Sequence, residues 1–360
     1  MNDVHGGDIY TYKGMTDYSS NINPFGPSAA VIEAAQQSLL DMGAYPDSRC
    51  GSLSQALSQN LGVEKSWLLF GNGAADLIFS LCFAEKPKKA LLTAPSFAEY
   101  AQALTAAGCE IQYARLKEEA EFALTEDYLD ELTEDLDMIF LCSPNNPTGK
   151  IIQKDLLKQI LDKCRTLGIR MVMDECFYEF TDHPKQVTMQ EFLAETPELV
   201  ILRAFTKMYA MPGLRLGYLL CSDRQLQRRM ESVRQTWSVS IPAQAAGVAA
   251  LDERNRVEET RKYVKHQREW MEDHLTRIGV KYVKSSANYI LLDSPYDLFE
   301  RLKEKGFLIR SCENYVGLRR GYYRIAVKKK EENEKLLEAI EEVTRDGKVN
   351  YDTGNDVKCR

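Results

Sequence analysis

The 360-residue chain lacks the features that place many proteins at a glance. Its nine cysteines, at 50, 82, 109, 142, 164, 176, 221, 312 and 359, include no C-x-x-C pair. An odd count, partly inside apolar runs, reads as reduced packing thiols and argues against a disulfide framework or a cysteine zinc site. The four histidines form no H-E-x-x-H, and His266 and His274 fall in so charged a segment that surface positions account for them. No metal is expected. Basic charge is short as well: 46 Lys and Arg against 53 Asp and Glu leave a net charge of −7, with no basic stripe for nucleic acid. The run Lys328-Lys329-Lys330 precedes an acidic amphipathic stretch and reads as a solvated helix start. No apolar stretch reaches the roughly 20 residues of a bilayer span, and the N-terminus has no apolar leader core. A soluble, cytoplasmic protein is the expectation. Internal repeats and low-complexity blocks are absent, and 44% hydrophobic with 28% charged residues is an ordinary globular balance.

What is present is alternation. Short apolar runs at 67–70, 90–93, 138–142, 169–173, 199–202 and 216–221 alternate with helical stretches from Ala74, from Phe97 and over 153–167. That order implies an α/β fold with a mostly parallel sheet covered by helices on both faces. In such sheets function gathers in loops beyond the strands' C-terminal ends. Residues 1–27 form an arm dense in turn formers, His5-Gly6-Gly7 and Asn21-Ile22-Asn23-Pro24-Phe25-Gly26-Pro27. It also carries Tyr10, Tyr12, Tyr18 and Phe25, so it is expected to pack against the body. Helices are expected from Pro27-Ser28 to about Met42 and, capped by Ser52, as far as Asn60. After Pro242 a mainly helical stretch runs to about Ile278. Strands at 280–283, 288–292 and 323–327, with helices at 296–305 and 330–344, then suggest a smaller α+β domain. The expected division is an arm (1–27), a large domain (28–240), a small domain (241–345) and a loose polar tail (346–360).

Several loops carry polar residues that packing does not require. Gly71-Asn72-Gly73-Ala74-Ala75-Asp76 follows a strand and opens a helix, where small residues let backbone N–H groups approach a phosphate. Alone, this G-x-G lacks the third glycine of the dinucleotide fingerprint and equally suits a tight turn. Phe97, at the top of the next strand, could stack on a flat ring or simply pack. Ser143-Pro144-Asn145-Asn146-Pro147-Thr148-Gly149 is more specific, a rigid loop aiming an amide at its concave side. Asp174, ending a strand, suits a protonated pyridine nitrogen, although a lone aspartate there is commonly a helix cap. Thr206, Lys207 and Arg215 lie between two strands. A partly desolvated lysine is an amine nucleophile, and an arginine fork suits a phosphate. Pyridoxal phosphate would satisfy both, whereas a single Lys-x7-Arg pair by itself also occurs in solvated loops. Arg324, flanked by apolar strand residues, calls for either a substrate carboxylate or an internal salt bridge.

In order along the chain, G-N-G, P-S-F, S-P-N-N-P-T-G, D-E-C-F, T-K…R-L-G and Y-R-I-A-V resemble the fold-type I pyridoxal-phosphate enzymes of the aspartate aminotransferase superfamily, over about residues 5–330. The resemblance implies the PLP-dependent transferase fold, with a seven-stranded type of sheet in the large domain. It implies Lys207 as the Schiff-base lysine, Asp174 on the pyridine nitrogen and Asn146 on the cofactor's phenolic oxygen. It places Phe97 over the ring, Gly73, Ala74, Ala75, Thr206 and Arg215 around the phosphate, and Arg324 on the substrate carboxylate. Tyr45, in Tyr45-Pro46-Asp47, matches the tyrosine that reaches the cofactor phosphate of a partner subunit, which implies a homodimer. Two positions depart from the family: Phe177 stands where a tyrosine is usual, and Ala204 where a hydroxyl is frequent. Each removes one polar contact to the cofactor.

Within the superfamily the chain is similar to two families with phosphorylated substrates, the histidinol-phosphate aminotransferases and the threonine-phosphate decarboxylases of cobalamin biosynthesis. His-Gly-Gly followed by N-I-N-P-F-G-P, then G-N-G-A-A, D-E-C-F, T-K-M-Y-A-M-P-G-L-R-L-G-Y and Ile309-Arg310-Ser311-Cys312, lean to the decarboxylases. Decarboxylation of L-threonine O-3-phosphate to aminopropanol phosphate is therefore expected, and an aminotransferase using glutamate and 2-oxoglutarate is the alternative. His5 and Asn23 in the arm are expected to clamp the substrate's phosphate and set the torsion at its α-carbon; the competing reading makes His5 a plain loop residue. A nicotinamide-dependent dehydrogenase would need the missing third glycine and an acidic residue ending the next strand. A regulator on this fold would need a fused DNA-binding segment, and a cofactor-less pseudoenzyme would have lost Lys207.

Overall fold

Residues 5–352 are described by the computed structural model, and apolar runs bounded by turn residues set its architecture. The arm contributes a two-residue strand, β1 (Thr16–Asp17), followed by helices α1 (Ala29–Ser38) and α2 (Gly51–Leu61). The chain then alternates through β2 (Leu68–Asn72), α3 (Gly73–Glu85), β3 (Lys89–Ala94), α4 (Ala98–Ala106) and β4 (Glu110–Arg115). It continues through β5 (Met138–Cys142), α5 (Lys154–Leu167), β6 (Arg170–Asp174), α6 (Pro184–Val187), β7 (Leu199–Ala204) and β8 (Leu216–Leu220). Seven of these strands form one sheet in the order β2-β8-β7-β6-β5-β3-β4. Strand β8 runs antiparallel to both its neighbours, and the other pairings are parallel.

Helices α7 (Arg224–Val233), α8 (Ile241–Leu251) and α9 (Arg254–Arg277) lead to a second unit. It holds β9 (Lys281–Val283), β10 (Tyr289–Asp293), α10 (Leu298–Glu304), β11 (Phe307–Leu308), β12 (Arg310–Ser311), β13 (Tyr322–Ala326) and α11 (Lys330–Asp352). Its antiparallel sheet has the order β12-β13-β10-β9. The arm returns to this unit, with β1 pairing parallel to β11 and the Ala326 N–H donating to Tyr18 O at 2.9 Å.

Successive side chains of a strand point to opposite faces, so a sheet covered on both sides needs apolar residues at every position. In β5, Met138, Phe140 and Cys142 pack with α3, α4 and α7, and Ile139 and Leu141 pack with α2, α5 and α8. Fully burying one such Leu, Ile or Phe contributes roughly 1.5–3 kcal/mol. This two-sided core leaves the loops at the ends of the strands as the place for polar chemistry.

Four local expectations change. Strand β4 is not marked by an apolar run, because it sits at the sheet edge with Glu110 and Arg115 exposed. Helix α1 ends at Ser38 and tightens into a 3-10 turn over Leu39–Asp41. Ser52 does not cap α2. Cys50 holds the cap position, and the Asp47 carboxylate accepts from the Gly51 N–H at 2.7 Å. The loose tail expected from 346 is helical to Asp352. Extending a formed helix adds a hydrogen bond per residue without a new nucleus, and one glycine costs only about 1 kcal/mol. Residues 353–360 of that tail lie outside the described residues. Among the described residues no helix is long and apolar enough to cross a membrane, and no cluster of ligating side chains could hold a metal.

Candidate active site

The loops after β2, β3, β5, β6 and β7 meet the arm and strands β12 and β13 around a cavity of about 230 Å³. Lys207 is half-buried in its wall, just past β7. Burial, then the cations of Arg324 and Arg215, push its amine from 10.5 down to about 8, against the opposing pull of Cys176 and Asp174. At pH 7 roughly a tenth of such an amine is neutral and nucleophilic.

Because β8 doubles back on β7, Lys207 and Arg215 share one loop. Arg215 adopts the left-handed region at φ 56°, which costs a non-glycine residue about 1–2 kcal/mol. That conformation lays its guanidinium against Gly73, the first residue of α3, where a Cβ would collide with it. Gly73 therefore supports Arg215 from behind, and Ala74, Ala75 and Thr206 line the cavity beside the guanidinium. Unpaired N–H groups of the first helical turn and a fixed arginine together form a cradle for a dianion.

Asp174 ends β6 and is buried. Its Oδ2 accepts from the Tyr100 hydroxyl at 2.5 Å and its Oδ1 from the Cys176 N–H at 2.8 Å. Both donors are neutral. A buried carboxylate whose donors are both neutral is suited to a bound cation. Phe97 lines the cavity and meets Tyr100 edge-on, with ring centroids 5.6 Å apart.

Asn146 Oδ1 accepts from Arg324 Nη1, and the Tyr315 hydroxyl approaches the same oxygen at 3.4 Å. Two donors on the oxygen fix the amide's orientation, leaving its Nδ2 to donate elsewhere in the cavity. Arg324 Nη2 donates to Ser19 O at 2.7 Å, and its buried Nε has no partner. Those partners are neutral oxygens, unlike the internal salt bridge weighed from the sequence.

The arm residues separate. His5 reaches the cavity, its Nε2 2.8 Å from the Glu99 carboxylate. Asn23 does not line it. Its Nδ2 donates to Met208 O at 2.7 Å and Thr260 Oγ1 at 3.2 Å, and its Oδ1 accepts from the Phe25 N–H at 3.0 Å. These bonds pin the arm to the lysine loop and α9, so the substrate clamp expected of Asn23 is not available to it. Asn21, two residues earlier, lines the cavity at 1% exposure, and neither of its amide atoms has a partner. Tyr45 lies exposed outside this chain's own cavity, stacked on Trp237 at 4.3 Å between centroids.

The model for "Aminotransferase class I and II" matches residues 13–340. The chain belongs to that family. A threonine-phosphate decarboxylase from Salmonella typhimurium is 39% identical over 355 residues, covering 95% of this chain and 97% of the relative. A histidinol-phosphate aminotransferase from a Geobacillus strain is 32% identical, with 92% of each chain covered. Among solved structures, the histidinol-phosphate aminotransferase of Clostridium acetobutylicum superposes with a TM-score of 0.86 at 27% identity, over 91% of this chain and 99% of that one.

Pyridoxal phosphate is the cofactor of this aminotransferase-family chain, and the cavity fits it. The depressed lysine suits its aldehyde, the Arg215 cradle its phosphate, and the charge on Asp174 its ring nitrogen. The sequence assigned no role to Asn21, Arg310 and Tyr315 in the cavity wall, nor to Tyr100, which lies behind Asp174. Tyr100 had a usable signal, since it stands three positions after Phe97 on one helical turn.

Proposed function

We propose that the chain decarboxylates L-threonine O-3-phosphate to aminopropanol phosphate, a step of cobalamin biosynthesis, as a cytoplasmic homodimer. Two buried guanidinium groups carry this proposal. Arg310 and Arg324, each 6% exposed, face the same cavity, apart from the Arg215 that cradles the cofactor's phosphate. A substrate bearing both a carboxylate and a phosphate matches two such forks, because planar bidentate donors suit either anion. Its support from relatives is the 39% identity to a threonine-phosphate decarboxylase along nearly the whole of both chains.

When bound, pyridoxal phosphate supplies a sink for the electron pair of the bond broken at the substrate's α-carbon. Arg324 holds the substrate carboxylate through the Nε that no protein group occupies. Arg310, Asn21 and His5 hold the phosphate and so fix the rotation about the α-carbon. Asp174 holds a proton at the ring nitrogen, Asn146 donates Nδ2 to the phenolic oxygen, and Phe97 covers the ring. Lys207 Nζ delivers one proton to the α-carbon and regains it from solvent. In total the bond from the α-carbon to the carboxylate breaks, its carbon leaves as carbon dioxide, and the α-carbon gains a proton. Nothing is oxidised. In this scheme residues 28–240 hold the cofactor, 241–345 and the arm hold the substrate, and Tyr45 reaches the phosphate in the partner's cavity.

An aminotransferase acting on histidinol phosphate is the second reading, favoured by the 32% identity to such an enzyme. The two separate in one experiment. Purified protein with pyridoxal phosphate and L-threonine O-3-phosphate should release carbon dioxide and aminopropanol phosphate without a keto acid, read by mass spectrometry. Glutamate formed from histidinol phosphate and 2-oxoglutarate, with no product from the first mixture, would overturn the decarboxylase.

A further inference from the structure

Behind Asp174, beneath the cavity wall, lies a phenol that the scheme above does not use. Tyr100 is fully buried, and its hydroxyl donates to Asp174 Oδ2 at 2.5 Å. The Cys176 N–H holds the other carboxylate oxygen at 2.8 Å, so the carboxylate is tied at both ends and cannot rotate. The Tyr100 ring is fixed in turn. It stacks on Phe140 (centroids 4.9 Å apart, planes 17° apart) and meets Phe97 edge-on. Both Phe97 and Tyr100 stand at the start of α4, so one helical turn carries the phenyl that faces the cavity and the donor that holds the carboxylate.

We propose that Tyr100 is a positioning residue: its hydroxyl aims Asp174 at the cofactor's ring nitrogen and, being neutral, leaves the carboxylate's charge for the proton on that nitrogen. A lysine or arginine in its place would cancel that charge inside the protein, and an apolar residue would leave Oδ2 without a donor. The phenol satisfies the oxygen and spares the charge. Burial and the neighbouring carboxylate hold the Tyr100 proton in place, well above its ordinary range. The other titratable groups here are the Cys142 and Cys176 thiols, both pushed up by burial and by Asp174, and Lys207 across the cavity. This inference rests on the family's cofactor and not on the decarboxylase reading, so either can fail without the other.

The test is a titration of the full-length apo-protein with pyridoxal phosphate, followed by absorbance at pH 8, for wild type, Tyr100→Phe, Asp174→Asn and the double variant. Tyr100→Phe keeps the ring and should bind the cofactor about tenfold more weakly, the scale of one charge-assisted hydrogen bond. With Asp174→Asn already present, the same change should alter affinity less than about twofold, because no carboxylate is left to aim. Unchanged affinity in Tyr100→Phe would overturn the proposal. So would an equal loss in both backgrounds, which would mean that Tyr100 acts by packing against Phe97. If Tyr100→Phe does not fold, Tyr100→His supplies the measurement, since imidazole at pH 8 is a neutral donor. It should stay within about threefold of wild type, and a larger loss would likewise overturn the proposal.

Discussion

Gly149 lies so close to Ser285 that a Cβ at position 149 would overlap that serine's side chain. The neighbouring Ser286 N–H donates to Gly149 O at 2.8 Å, and Gly149 itself sits at φ 73°. The loop that carries Asn146 is thus seated directly on the second unit. Gly149→Ala combines an unfavourable left-handed conformation with overpacking and should cost about 2–4 kcal/mol. Thermal melting would show the lower midpoint. Steady-state assays should show kcat/KM down more than about tenfold as Asn146 shifts from its amide geometry.

Lys207 gives a pH prediction with a definite sign. Its folded amine titrates at about 8 against 10.5 when unperturbed, so between those values the unfolded chain holds a proton that the folded chain has shed. Stability from this group therefore rises with pH across that window and is lost as pH falls through it. Competitive acetylation of the apo-protein should give a Lys207 midpoint near 8, and Arg324→Gln should raise it by removing a cation.

Beside the site, Arg203 and Glu175 form an ion pair at 1% and 0% exposure. Glu175 Oε2 accepts from Arg203 Nε and Nη2, while Tyr178 covers the guanidinium at 4.0 Å. Removing only the arginine strands a buried carboxylate next to Asp174. Arg203→Met should cost about 3–5 kcal/mol in urea denaturation, and pairing it with Glu175→Met should recover much of that loss.

The two arm asparagines should fail differently. Asn21→Ala is expected to raise KM for the proposed substrate, L-threonine O-3-phosphate, about tenfold and leave the melting midpoint close to wild type. Asn23→Ala strands the Met208 carbonyl, costing about 1–3 kcal/mol, and should loosen the arm to limited proteolysis. A KM effect confined to Asn23 would reverse the assignment.

The contrast between these two residues marks how far the sequence reading reaches. Strands with unbroken apolar runs, such as 138–142 and 199–202, are readable because two-sided burial leaves no alternative composition. Lys207 and Asn146 are readable because each lies in a loop directly after such a strand, and Asp174 because it ends one. Asn21 and Asn23 stand in one N-I-N segment with equal chemistry. What separates them is contact with Thr260 and Met208, residues distant in the chain. Strand β4 escapes for the opposite reason: at an edge, half-exposed positions admit polar residues and the apolar signature dissolves. Tyr315 has no local pattern at all, because its role comes from reaching Asn146 across 169 positions.

The arm's return to the second unit also sets when the protein can begin to work. The bond from Arg324 Nη2 to Ser19 O joins residues 305 positions apart, and β1 has its partner strand only once β11 exists. At ordinary synthesis rates the arm waits on the order of 15–60 s on the ribosome before residues 310–326 emerge. During that interval the sheet can form and the lysine loop can close, yet the wall that carries Arg310 and Arg324 is missing. Chains interrupted late in translation therefore carry the lysine loop without Arg310 and Arg324, and the cavity is closed only when β13, the last strand among the described residues, has been made.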